Sequence, residues 1–247
     1  MATTCLNCGT EVTDKFCPHC GQKATVGRLT FHHLLEEAIH FFTHIEKGLP
    51  RTTMELLTRP GSMQKNFLDG KRKTYHKPVS FLLIWVATFL LIEGLTKRFG
   101  YFDRETTSSF LGVGLEVEAM ILKYRALIEL LILPFTALNG WIWLCYPKIT
   151  YLEFLITGFY RFSVFYIFLS VQLILGLIFG FNPNSTVSLY TMAIFFMIWT
   201  IYVFYELFKL YQIKFLLPRI ILTMLSGSFI YSFLRTMFGK LFLAWGF

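Results

Sequence analysis

Downstream of Pro78 the chain alternates long apolar stretches with short polar breaks. Five stretches, at about 79–96, 126–146, 155–180, 187–208 and 217–236, each approach the roughly 20 residues that a helix needs to cross bilayer hydrocarbon. They predict five transmembrane helices, the second bent but not broken by Pro134. Upstream the pattern changes. Phe31, Leu34, Leu35, Ala38, Phe42, Ile45 and Leu49 recur at spacings of three and four, the stripe of an amphipathic helix over residues 28–49. His and Glu interrupt that stripe too often for it to span, so this helix is expected to lie on the membrane or against the bundle. Leu49-Pro50, Arg59-Pro60-Gly61 and Asp69-Gly70 break residues 50–75 into short helices and turns. Residues 1–24 are polar and Cys-rich, and Val26-Gly27 follows as a hinge. The fold class is therefore an all-α polytopic membrane protein in three parts: a small module at 1–24, an interfacial helical segment at 25–78 and a bundle at 79–247.

Composition sharpens this picture. The chain has 247 residues, of which 55% are hydrophobic, 18% aromatic and only 15% charged, with a mean hydropathy of +0.55. Those values exclude a disordered chain and a water-facing globule. The net charge of +8 would suit nucleic acid if it were clustered on a polar domain. Instead, the basic residues sit at the ends of apolar segments, so membrane lipids are the expected partner and nucleic acid is not. The densest run, Lys71, Arg72, Lys73 and Lys77 with Tyr75 among them, precedes the first span and is expected at the lipid headgroups. With the N-terminus inside, the inner loops hold this run, Lys148, Lys209, Lys214 and Arg219, while the uncharged turn at 181–186 falls outside. Met1 to Gly9 lacks the apolar core of a signal peptide, which fits a cytoplasmic N-terminus where thiols stay reduced.

Cys5-Leu-Asn-Cys8-Gly9 and Cys17-Pro-His-Cys20-Gly21 are two C-x-x-C-G knuckles, with eight residues between Cys8 and Cys17. Each knuckle turns two thiolates toward one point, and two knuckles close a tetrahedron around a metal ion, zinc being the expected one. Four cysteines leave no open coordination position, so the zinc would be structural and would supply most of the folding energy of so small a module. His19 lies within the second knuckle and is expected to be solvated. Such a module presents a surface, either to a protein partner or to the protein's own cytoplasmic segment.

Other groups carry weaker signals. His33, Glu37, His40 and His44 line one helix face at spacings of four, three and four, either a solvated face or a second metal or proton site that needs ligands from another helix. Asn139, Arg161, Gln172 and Glu206 fall in or near the spans, where polar groups are costly and suggest an intramembrane site. Asn139 and Gln172 also suit helix–helix hydrogen bonds, and Ser226-Gly227-Ser228 suits close helix packing. Arg161 either snorkels from a helix end or is buried and needs a partner such as Glu206.

The order of these features resembles a family of uncharacterised bacterial multi-pass membrane proteins. The resemblance is carried by Cys5-x-x-Cys8 and Cys17-x-x-Cys20-Gly21-Gln22, His44-Ile45-Glu46-Lys47-Gly48, Thr53, Arg59-Pro60-Gly61 and Gly70-Lys71-Arg72-Lys73-x-Tyr75-x-x-Pro78, and covers roughly residues 1 to 80. It implies a bacterial inner membrane and no particular chemistry. No Ser-His-Asp order, H-E-x-x-H pair, phosphate-binding Gly loop or kinase signature is present, which disfavours an enzyme. The leading expectation is a non-enzymatic membrane scaffold or accessory subunit whose zinc ribbon and interfacial helix dock a protein, or a second copy of the chain. The alternative is a small transporter, channel or lipid-handling protein whose Asn139, Arg161, Gln172 and Glu206 converge on a polar cavity.

Overall fold

The computed structural model describes residues 3–32, 48–99, 114–183 and 185–245. The N-terminal module is a two-stranded antiparallel ribbon, β1 (Thr3–Thr4) with β2 (Glu11–Val12), Thr3 opposite Val12. Two short helices follow, α1 (Leu49–Thr58) and α2 (Pro60–Leu68), each with proline in its first turn, where the missing N–H costs nothing. The segment predicted as short helices and turns is thus two helices broken at Arg59 by Pro60.

Among the described residues, five helices are long and apolar enough to cross a membrane. They are α3 (Pro78–Arg98), α5 (Arg125–Gly140, continued by a π-helical turn at Trp141–Cys145), α6 (Tyr151–Phe179), α7 (Thr186–Leu210) and α8 (Leu216–Ala244), with a short α4 (Leu115–Lys123) before α5. Each overlaps one apolar stretch of the sequence. Pro134 lies inside α5, which runs through it unbroken. Two boundaries differ from expectation for local reasons. Helix α6 starts at Tyr151 because Thr150 and Glu153 form a reciprocal capping box, with Glu153 N–H on Thr150 Oγ1 at 3.3 Å and Thr150 N–H on Glu153 Oε2 at 2.8 Å. Helix α8 continues past residue 236 because Arg235, a potential stop, is neutralised by Glu118 of α4 at 2.6 Å.

Helix α6 is the spine. Half of its most apolar stretch is buried, against 17% for α8, which lies at the periphery and exposes Leu225, Phe229 and Phe233. Helices α3 and α5 pack along α6, α7 packs on α2 and α6, and α8 packs on α5 and α4. Rings fill the centre: Phe154 stacks on Phe208 at 5.9 Å, and Phe67 of α2 meets Tyr160 edge-on at 5.6 Å. The short helices therefore belong to the same core as the spans, through Leu56, Met63 and Phe67. At Arg59-Pro60-Gly61 the contact is backbone to backbone: a Cβ on Gly61 would stand 2.5 Å from the Leu207 nitrogen. Only glycine permits that approach.

Candidate metal centre and its docking surface

In each knuckle the N–H of the glycine after the second cysteine bonds back to the first: Gly9 to Cys5 O and Gly21 to Cys17 O, both at 2.9 Å. Both glycines have a left-handed backbone, which reverses the chain. The Sγ atoms of Cys5, Cys8, Cys17 and Cys20 consequently lie within 4.8 Å of one another, with Cys5–Cys20 at 3.6 Å and Cys8–Cys17 at 3.5 Å. These four cysteines are placed to hold one metal ion. Cys5 and Cys17 are buried, whereas Cys8 is exposed. The hydroxyl and N–H of Thr10 lower the Cys8 thiol to about 5, and burial raises Cys20 to about 11. His19 is exposed.

The cluster does not stand apart from the rest of the chain. Gln22 immediately follows the second knuckle and is buried against the juxtamembrane loop. Its Nε2 donates to Gly70 O at 3.0 Å, and its Oε1 accepts from the N–H groups of Arg72 and Lys73, both at 3.1 Å. Asn7, inside the first knuckle, accepts on Oδ1 from the N–H of Thr74 at 3.1 Å and from its hydroxyl at 2.7 Å. Arg72 Nη2 adds a bond to Gly27 O at 2.8 Å, across the expected hinge. Leu6 completes the contact: at Gly70, whose φ is +107°, a Cβ would meet Leu6 Cδ1 at 2.8 Å. Both knuckles thus clamp the five-residue loop 70–74, and two side-chain amides do most of the hydrogen bonding.

The loop in turn is tied to α1 and α6. Tyr75, expected at the lipid headgroups, is instead only 3% exposed. Its hydroxyl donates to Glu55 Oε2 at 2.8 Å, and burial raises the phenol so that it keeps this proton. The His76 N–H reaches Thr52 Oγ1 at 2.8 Å, and the Tyr160 hydroxyl of α6 donates to His76 O at 2.7 Å. Lys71, Lys73 and Lys77 keep their side chains exposed, while Arg72 is half-buried. On the same face, Lys148 donates to the carbonyls of Tyr211 and Gln212 at 2.6 and 3.1 Å, joining two loops between spans.

The intramembrane polar residues part company. Asn139 holds α5 to α8, donating to Thr223 O at 3.2 Å and accepting from Ser226 Oγ at 2.9 Å. Its Nδ2 would lie 3.2 Å from a Cβ on Gly227. Gln172 closes the α6–α7 hairpin, donating to Ser188 Oγ at 2.6 Å. Arg161 stacks over Phe204 at 5.1 Å and makes no ion pair among the described residues. Glu206 does not face Arg161. It accepts from the Gly61 N–H at 2.8 Å and from the Ser62 hydroxyl at 3.3 Å, standing in for the missing N-cap of α2. These four therefore do not meet in one cavity.

Two polar pairs were not foreseen as pairs: Glu118 with Arg235, and Glu129 with the Tyr231 hydroxyl at 2.5 Å, which cross-link α4, α5 and α8. Their sequence separations exceed a hundred residues, so no spacing announces them. Asn7 and Gln22 had only a faint signal, as polar residues in and just after the knuckles. His33, Glu37, His40 and His44 lie outside the described residues.

Residues 46–90 match a family described as "Protein of unknown function (DUF3667)". That stretch contains α1, α2, the clamped loop and the first half of α3. No curated protein and no solved structure matches the chain.

Proposed function

We propose that the chain is a non-enzymatic scaffold or accessory subunit of a bacterial inner membrane, with its ribbon in the cytoplasm, folded around one zinc ion and presenting a surface to a protein partner. The observation that carries this reading is the clamp of both knuckles on residues 70–74. A ribbon fixed at five bonds to a loop that is itself tied to α1 and α6 is a rigid platform at the end of the bundle.

Zinc suits the donor set. Four thiolates at the Zn–S length of roughly 2.3 Å stand about 3.8 Å apart in a tetrahedron, close to the separations of 3.5 and 3.6 Å found here. All four positions are then filled by protein, which supports a structural and not a catalytic ion. The cytoplasmic side is supported by the basic residues that gather on the ribbon's face of the bundle, Lys71, Arg72, Lys73, Lys77, Lys148, Lys209, Lys214 and Arg219. On the ribbon itself Phe16 is 53% exposed, a large apolar side chain flanked by the exposed charges Asp14, Lys15 and Lys23. An exposed aromatic with a polar rim is the usual anchor of a protein contact.

The test is co-purification from native membranes followed by mass spectrometry, comparing the wild type with Phe16→Asp. A specific protein recovered with the wild type and lost with Phe16→Asp, at unchanged metal content, is the expected result. Recovery of the wild type as a lone monomer would overturn the reading.

A further inference from the structure

Glu129 is a buried carboxylic acid with no part in the metal centre or the clamp. It is 6% exposed and belongs to the second turn of α5. Its neighbours fix its depth. Oε1 accepts from the Tyr231 hydroxyl at 2.5 Å, and Glu129 borders the same apolar cleft as Tyr166, which packs on Phe89 at 5.5 Å. Phe89, Tyr166 and Tyr231 each lie within one residue of the middle of α3, α6 and α8. The carboxyl is therefore held near the middle of the bundle, where a charged group is costly and is kept for a use or with a partner.

The charged and titratable groups around it come from every neighbouring helix. On α8, Tyr231 is a neutral donor, and Arg235, one turn further along, is taken by Glu118 of α4 at 2.6 Å. On α6, the Tyr166 hydroxyl is buried and has no partner among the described residues. On α3, Glu93 is taken by Lys97 at 3.2 Å. On α5 itself, Arg125 stands one turn before Glu129, a spacing at which two opposite charges reach each other. They do not pair. The Arg125 guanidinium lies instead over the Phe89 ring at 5.8 Å, and neither it nor Glu129 makes an ion pair among the described residues.

A carboxylate in this apolar setting would draw in an uncommitted guanidinium one turn away, because attraction between unit charges is many times stronger there than in water. An arginine left resting on an aromatic ring beside the acid is the arrangement that an uncharged carboxyl produces. A metal cation does not suit the place. One carboxyl and two phenols, with a guanidinium a turn away on both α5 and α8, supply neither the oxygens nor the negative charge that such an ion takes.

We propose that Glu129 is a reversible proton-binding site in the middle of the bundle, and that Arg125 follows its charge. With the proton bound, the acid is neutral, Tyr231 donates to Oε1, and Arg125 rests on Phe89 and so joins α5 to α3. With the proton released, Arg125 turns to the carboxylate and leaves Phe89, which exchanges a contact between two spans for a pair within one. The ligand is a proton, and the site stands apart from the scaffold reading.

The test treats the full-length protein in lipid nanodiscs with dicyclohexylcarbodiimide, an apolar reagent that adds to protonated carboxyls, and maps the adducts by mass spectrometry as the pH is raised. Leu127 and Leu130, beside Glu129 on the cleft's lip, are exposed and leave the reagent a way in from lipid. Glu129 is expected to label at acid pH several-fold above the ion-paired Glu93 and Glu118, and to lose label as the pH rises. Infrared difference spectra between acid and alkaline pH should show the carbonyl stretch of a protonated carboxyl, and Glu129→Gln, which keeps an acceptor for Tyr231, should remove it. Arg125→Gln deletes the counter-charge and should keep Glu129 labelled down to about tenfold lower proton concentration. Phe89→Leu frees Arg125 and should move the profile the opposite way, a shift that a purely packing role would not give. A wild type without a carboxyl band that depends on both pH and Glu129 would overturn the proton site. Profiles of Arg125→Gln and Phe89→Leu that coincide with that of the wild type would overturn the link to Arg125.

Discussion

Replacing Gln22 with alanine removes the residue that holds the ribbon to the juxtamembrane loop through three hydrogen bonds. They are Nε2 to Gly70 O at 3.0 Å and the Arg72 and Lys73 N–H groups to Oε1 at 3.1 Å each. Each such bond contributes about 1 kcal/mol net, because water competes for the same groups in the undocked state. The docked state should therefore lose about 3 kcal/mol, which raises the fraction of undocked loop by roughly 150-fold. The loop contains its own reporter, since Lys71, Arg72 and Lys73 are trypsin sites whose backbone is held in the clamp. Cleavage requires the backbone to leave the clamp, and when opening is fast relative to cleavage its rate follows the open population. Trypsin should thus cut Gln22→Ala at 71–73 on the order of a hundred times faster than wild type, with Lys23 in the ribbon as the internal reference and metal content unchanged. Asn7→Ala, which removes two bonds to Thr74, should give a smaller increase of about thirty-fold. A cleavage rate at 71–73 within twofold of wild type for both variants would refute the clamp.

Four further perturbations test other joints. Cys17→Ser should abolish binding of one metal ion per chain in elemental analysis while the helical circular dichroism stays nearly unchanged, because the ribbon contributes no helix. Glu206→Ala should cost about 1–2 kcal/mol, as the loss of an N-cap does, and lower the thermal midpoint in detergent by several degrees. Gly61→Ala should do worse, since its Cβ would stand 2.5 Å from the Leu207 nitrogen in a backbone contact that cannot yield locally. Asn139→Leu should destabilise the α5–α8 pair by about 1 kcal/mol in a double-mutant cycle with Ser226→Ala, and a coupling of zero would show that the two residues do not act together.

The parts of this molecule that were legible in the sequence are those written in repeated or closely spaced residues. Bilayer-length apolar runs announced α3, α5, α6, α7 and α8, because burial in hydrocarbon demands continuous apolar chain and nothing else in the sequence imitates it. The two C-x-x-C-G knuckles announced the thiolate cluster, since both ligand pairs and both reversing glycines are local. What stayed hidden depends on partners distant in the chain. Tyr75 looks like an interfacial aromatic beside lysines, but Glu55 and the α1–α2 pair enclose it. Glu206 looks like a candidate for Arg161; its use as a surrogate cap follows only from α2 being set down on α7. The Lys-Arg-Lys run was legible as charge and illegible as backbone. The side chains of Lys71 and Lys73 point outward as a basic juxtamembrane run should, yet their peptide groups form the seat of the ribbon. A hydrogen bond between a side-chain amide and a peptide group carries no residue signature at the peptide end, so Asn7 and Gln22 had no complementary motif to betray them.

The central claim is that a metal ion folds the ribbon and that the folded ribbon locks the juxtamembrane loop. Hydrogen–deuterium exchange of the full-length protein in lipid nanodiscs, before and after removal of the metal with a high-affinity chelator, tests both halves together. The account predicts that the amides of Arg72, Lys73 and Thr74 lose protection with the ribbon's own amides while α1 and α2, buried against the bundle, retain theirs. Unchanged protection of residues 72–74 in the metal-free protein would contradict it.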